Sequence, residues 1–216
     1  MTSRHWWLLA IPVGLVVAAC RDATAPLSPR DEVGPQTNYV TGPPANYAAD
    51  WFTPCILQQA ADAPPLETYQ VSVWVRHDRE TNVAVNYQSG DPYLSFRIPR
   101  FGLMWAPDGS RFQGSDSVLV TLTLDPVNLS VTFQPSGLVF STVFAAQLVM
   151  YYDHANPDLN GDGVVNWTDA LLKLRLGIWG TSERSPRWFK VASRNNTSQQ
   201  FVAGYIYHFS LYAVSY

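Results

Sequence analysis

Basic charge is scarce in this sequence: fourteen Lys and Arg stand against seventeen Asp and Glu, for a net charge of −3. The electrostatic footprint of a nucleic-acid binder is therefore missing, and no nucleic-acid partner is expected. Cysteine is scarcer still. Cys20 and Cys55 are the only two, too few for a disulfide framework or a cysteine-rich zinc site. No phosphate-cradling Gly-rich loop and no His-Glu-x-x-His pair occurs. Ser136 sits in Pro-Ser-Gly, not in a Gly-x-Ser-x-Gly elbow. Nothing singles out a pair of carboxylates for glycoside hydrolysis. His77-Asp78 and Asp153-His154 are adjacent pairs in strand-like context, where neighbours point to opposite faces and cannot share work. The expectation is a non-enzyme. Past the N-terminus no run reaches the roughly 18 apolar residues of a membrane-spanning helix. The longest candidate, 138–152, is broken by Ser141, Thr142 and Gln147 and reads as two strands. Apolar and aromatic residues are plentiful, at 47% and 13%, which supplies a core and argues against disorder.

The N-terminus reads as an address. Arg4 gives a positive start, and Trp6 to Ala19 is an apolar stretch of fourteen residues, shorter than the about 20 that cross a bilayer. Val17-Ala18-Ala19-Cys20 resembles a bacterial lipobox. That resemblance implies a signal peptide over 1–19, removal of it, and lipidation of Cys20 as the first mature residue. Stable anchoring takes more than one acyl chain, and lipoprotein-type modification carries several. Arg21, where inner-membrane retention is associated with Asp, implies an outer-membrane or cell-surface location in a host with two membranes. Residues 20–66 carry the lipidated cysteine and a tether with Pro26, Pro29, Pro35, Pro43 and Pro44. Tyr47, Trp51, Phe52 and Ile56 give 46–59 the means to dock on the domain, and 60–65 reads as a second linker. Cys55 reads either as a small hydrophobe packed at a strand end or as half of an intermolecular bridge.

From Glu67 to Tyr216 the signal is β-structure. Val71, Val73 and Val75 alternate with Ser72, Trp74 and Arg76; Leu94, Phe96 and Ile98 alternate with Ser95 and Arg97. Further strands are expected near 83–87, 118–124, 129–133, 147–152, 188–191, 200–207 and 211–214, separated by Asp-Pro, Pro-Asp-Gly and Pro-Ser-Gly turns. Many short strands with frequent turns predict an all-β antiparallel sandwich. A single short helix is expected, over 168–176.

The most specific motif is Asp158-Leu-Asn160-Gly-Asp162-Gly163-Val164-Val-Asn166-Trp-Thr-Asp169. Calcium takes six to eight oxygens, and a twelve-residue loop supplies them from positions 1, 3, 5, 7, 9 and 12. Here those are Asp158, Asn160, Asp162, the Val164 carbonyl, Asn166 and Asp169, with Gly163 at the sharp turn of position 6. The motif resembles an EF-hand loop, and more closely a dockerin loop with Asp at position 12. Dockerins carry two such repeats and this chain carries one, so dockerin-type partner binding is not implied. No entering helix precedes the loop, since 150–155 reads as a strand end. The expectation is a structural Ca²⁺ site in an insertion, 153–176, between strands.

His208-Phe209-Ser210, with Gln134 to Phe140 and Leu148 to Tyr152, looks like the ZU-five type of β-sandwich found in ankyrins and netrin receptors. That resemblance, over about 94–216, implies an interaction and scaffolding module. Some relatives cleave themselves between Phe and Ser of a His-Phe-Ser sequence. The carried-over chemistry has Ser210 Oγ attack the Phe209 carbonyl while His208 takes the proton. The plain reading has Phe209 in the core. Together these readings predict a non-catalytic, lipid-anchored envelope module, with an unknown envelope protein as partner. The alternative is a surface polysaccharide-binding protein, because Trp74, Trp105, Trp167, Trp179 and Trp188 are many for one domain. A row of exposed rings would favour a glycan.

Overall fold

The computed structural model describes residues 54–182 and 185–216. The expected signal peptide, Cys20 and most of the tether lie outside them.

Strands form where β-branched and aromatic residues alternate with polar ones. In chain order they are β1 (Gln70–Arg76), β2 (Thr81–Asn86), β3 (Pro92–Ile98), β4 (Leu103–Trp105), β5 (Ser117–Leu124), β6 (Ser130–Gln134), β7 (Val139–Phe140) and β8 (Ala146–Tyr151). One helix, α1 (Trp167–Arg175), follows. Then come β9 (Gly177–Ser182), β10 (Ser185–Lys190), β11 (Ser193–Asn196), β12 (Phe201–Ile206) and β13 (Leu211–Ser215). Six strands pair in the order β1-β5-β6-β13-β9-β10, and five in the order β11-β12-β8-β3-β2; β4 and β7 make a small third ladder. The pairings are antiparallel.

The two large sheets pack face to face, as the expected sandwich requires. Phe96 of the five-stranded sheet and Phe133 of the six-stranded sheet meet with ring centroids 4.7 Å apart. Phe209 stacks on Phe133 at 5.0 Å and meets Phe140 edge-on at 5.1 Å. All four rings are buried. Edge-to-face and offset contacts of this kind add to the area they remove from water.

Three strands carried no sequence signal. One of them, β4, is very short. A second, β11, reads Ser-Arg-Asn-Asn and pairs only with β12 at the sheet edge. The third, β9, contains two glycines. At Gly180 a Cβ would come within 2.8 Å of the Tyr212 ring, so close packing, not turn formation, requires the glycine. The domain also begins earlier than residue 67. Leu57 and Leu66 are buried in the core, Ile56 bridges Ser215, and Leu57 N–H donates to the Val214 carbonyl at 2.9 Å. These residues were too few and too Pro- and Ala-rich to give a strand period, yet they cover the end of β13.

Candidate functional site

The insertion 153–176 links β8 of one sheet to β9 of the other. No helix leads into the loop: β8 ends at Tyr151. The helix after it starts as its sequence dictates. Asn166 is the N-cap and accepts from Thr168 N–H at 2.8 Å, while Asp169 at N3 accepts from Asn166 N–H at 2.8 Å. This reciprocal arrangement satisfies two amides that a helix start leaves open. Lys173 and Arg175 occupy the last turn, where positive charge suits the helix dipole.

The loop's oxygens are hydrogen-bonded within the loop, mostly to its own backbone; Asp162 Oδ2 accepts from Asn160 Nδ2 at 2.9 Å. Asp158 accepts from Asp162 N–H at 3.2 Å and Gly163 N–H at 2.8 Å. Asn160 Oδ1 accepts from Asp162 N–H at 3.1 Å, and Asp162 Oδ1 from Val164 N–H at 2.8 Å. Asn166 Nδ2 donates to the Val164 carbonyl at 3.0 Å. Asp169 is buried and takes further amides from Leu159 and Asn160, at 2.8 and 3.3 Å. The amides of Asn166, Asn160 and Leu159, in that order, hold its carboxyl below the usual carboxylate range against the opposing cost of burial. Gly163 has φ 84, the left-handed conformation that position 6 needs.

This donor set, three carboxylates, two amide oxygens and a carbonyl, is hard and calcium-like. The three carboxylates are not drawn tightly together. Among the described residues, the group of His, Cys, Asp or Glu ligand atoms lying within 4.8 Å of one another is Asp91, Asp153 and His154. Sequence reasoning dismissed the last two as strand neighbours on opposite faces. Both lie in a turn past the end of β8, where that alternation no longer holds. Their third member, Asp91, is distant in sequence and gave no signal.

At the His-Phe-Ser segment the geometry is that of a packed strand start. Phe209 is core, its N–H donates to the Leu138 carbonyl at 2.9 Å, and the Ser210 carbonyl accepts from Phe133 N–H at 3.0 Å. Ser210 Oγ donates to the Thr181 carbonyl. The hydroxyl proton is thus directed at a backbone acceptor. Burial pushes the His208 imidazole below its ordinary value, and its ring packs against Phe189 and Tyr212. Tyr212 Oη donates to the His208 carbonyl at 2.7 Å.

The described tryptophans lie on separate elements. Trp74, on β1 at the edge of the six-stranded sheet, is exposed and faces outward as its alternation predicts. Trp105 is on β4 and Trp167 on α1, both exposed; Trp179 is buried. Among the described residues, the helix carries a run of exposed apolar side chains. Trp167, Leu171 and Leu174 are exposed, at spacings of four and three residues that put them on one helical face, and Val164 and Val165 of the loop are exposed beside them in sequence. Trp167 is 73% exposed and Leu174 64%. A normal surface helix turns such a stripe inward; α1 instead buries Asp169, whose carboxylate accepts the amides of Leu159, Asn160 and Asn166.

A groove of about 350 Å³ opens on the outer side of the five-stranded sheet. Arg97, Gln147 and Tyr205 are consecutive cross-strand partners there, and Phe144 lines its rim. Cys55 is half-buried at the start of the described chain and is disulfide-bonded, not the packed free thiol of the first sequence reading. No family model, curated protein or solved structure matches this chain.

Proposed function

We propose that this chain is a non-catalytic, lipid-anchored interaction module of the cell envelope, in which a calcium-filled loop holds an apolar helix face out for a partner protein. The observation that carries the reading is the solvent-facing stripe of Trp167, Leu171 and Leu174. Exposed apolar patches rimmed by polar groups mark binding surfaces. Asp158, Asn160, Asp162, the Val164 carbonyl, Asn166 and Asp169 would hold the Ca²⁺, fixing the loop from which α1 starts. The lipobox and the Pro-rich segment supply the anchor and its tether, and the likeness to ZU-five sandwiches suits a scaffold. The chain's self-cleavage chemistry has no comparable support.

A second reading rests on the groove. Tyr205 and Phe144 present exposed ring surface beside the hydrogen-bonding ends of Arg97 and Gln147, which is the mixture that stacks on and orients a sugar.

One experiment separates the two. A photo-crosslinking residue at Ala170, on the exposed side of α1, is placed in native chain and in Trp167→Ala/Leu174→Ser chain. The native chain is expected to give a discrete protein adduct in calcium and a much weaker one in chelator. The double variant should lose the adduct while its stability shifts by no more than about 0.5 kcal/mol, as for other surface changes. An adduct indifferent to both changes removes the helix face as the binding surface. Polysaccharide retention that is abolished by Tyr205→Ala would favour the groove instead.

The anchor has its own test. The sequence has two cysteines, so a thioether on Cys20 leaves Cys55 an intermolecular partner, whereas a bond between the two sulfurs excludes the lipid. Non-reducing intact mass of the membrane-extracted protein is expected to show acyl mass on the fragment starting at Cys20 and an unbroken Phe209–Ser210 bond. An unacylated chain with an internal disulfide would refute lipidation.

A further inference from the structure

Asp91, Asp153 and His154 belong neither to the calcium loop nor to the groove. The turn between β2 and β3 fixes the first: Tyr87 N–H donates to the Asp91 carbonyl at 2.8 Å, and Gly90 closes the turn at φ 92. The β3–β8 register pairs Leu94 with Met150, and its continuation past the strand ends sets Asp91 against Asp153. His154 Nε2 lies 2.9 Å from Asp91 Oδ2 and 3.7 Å from Asp153 Oδ2. All three ligand atoms fall within 4.8 Å of one another.

A second observation points into the same place. Tyr87 is fully buried and its hydroxyl has no hydrogen-bond partner. Its ring meets His154 edge-on with centroids 4.5 Å apart. Buried hydroxyls in native proteins nearly always have a partner, so an orphan needs an explanation.

We propose that Asp91, Asp153 and His154 form a second metal site, for a divalent cation of the zinc class, with a water in an open position that accepts from Tyr87 Oη. Zinc takes nitrogen and oxygen donors at about 2.0–2.1 Å in a tetrahedron, which sets donors about 3.3 Å apart. Without the ion, His154 Nε2 and Asp91 Oδ2 hydrogen-bond at 2.9 Å and Ser89 Oγ donates to the same oxygen at 2.8 Å; the ion would replace the His154–Asp91 contact, and the 3.7 Å from His154 to Asp153 is close to that edge. Imidazole nitrogen is a poor match for calcium, which wants oxygens in larger number. The site would tie the β2–β3 turn to the end of β8. It would also brace the N-terminal segment, because the His154 carbonyl accepts from Ala60 N–H at 2.9 Å.

The test is titration of the full chain, stripped by chelator and then saturated with calcium, with Zn²⁺ alone by calorimetry. One zinc per chain is expected. Asp91→Asn and His154→Gln should each weaken it at least about tenfold, and Tyr87→Phe measurably less than either. Co²⁺ in place of zinc should give the visible band of a four-coordinate ion, absent in His154→Gln. No zinc heat in the native chain, or heat unchanged in Asp91→Asn and His154→Gln, overturns the proposal. Should a variant fail to fold, a native-chain Co²⁺ spectrum without that band overturns it as well.

Discussion

Phe133→Ala is expected to cost the domain about 3–5 kcal/mol, the range for removing a fully buried ring. Phe133 sits where the two sheets meet. It contacts Phe96, Phe209 and Tyr212 at centroid distances of 4.7, 5.0 and 6.0 Å, from both sheets and from the segment before β13. Those neighbours are themselves fixed in paired backbone, so the cavity cannot collapse without moving strands. Urea unfolding followed by tryptophan fluorescence would measure the loss. Trp74→Ala is the control: it removes a comparable ring from an exposed position and should shift stability by no more than about 0.5 kcal/mol. Similar losses at the two sites would mean that the face-to-face packing is wrong.

The second large effect comes from calcium. At ten times the dissociation constant, an ion bound only by the folded state adds about 1.4 kcal/mol. For a domain of this size that is a shift of about 3–6 °C in melting temperature. Extracellular calcium modules bind at about 10⁻⁴–10⁻³ M, so millimolar calcium is the relevant range. Chelation should therefore lower the melting temperature by that amount, and Asp158→Ala with Asp162→Ala should abolish the difference. The double variant is also expected to start lower, because Asp158 and Asp162 accept three loop amides between them. The readout is the calcium-dependent difference, which that loss does not create. A native chain that melts alike in calcium and in chelator would end the calcium reading. It would leave the loop as a turn held by its own amides.

The helix and the sandwich were legible for the same reason: both are local patterns. A strand declares itself by period-two alternation over a few residues, and Val71-Ser72-Val73-Trp74-Val75 does so wherever it ends up. The helix start is equally local, since Asn166 and Asp169 cap it from three residues apart. Where alternation fails, the reading fails. The polar strand β11 and the glycine-bearing β9 are strands because their neighbours in the sheet make them so, through pairing with β12 and β13.

What the sequence determined alone was the class of fold and the place of its one described helix. These follow from chemistry within about a dozen residues. Tertiary structure decided which way surfaces face and which distant groups meet. The helix turns its apolar stripe to solvent because its one buried residue, Asp169, is committed to the loop's amides. Asp91 reaches His154 across 63 positions because a β3–β8 register, set by core packing, brings two turns together. Register is a property of paired strands, so no spacing within either one could announce it.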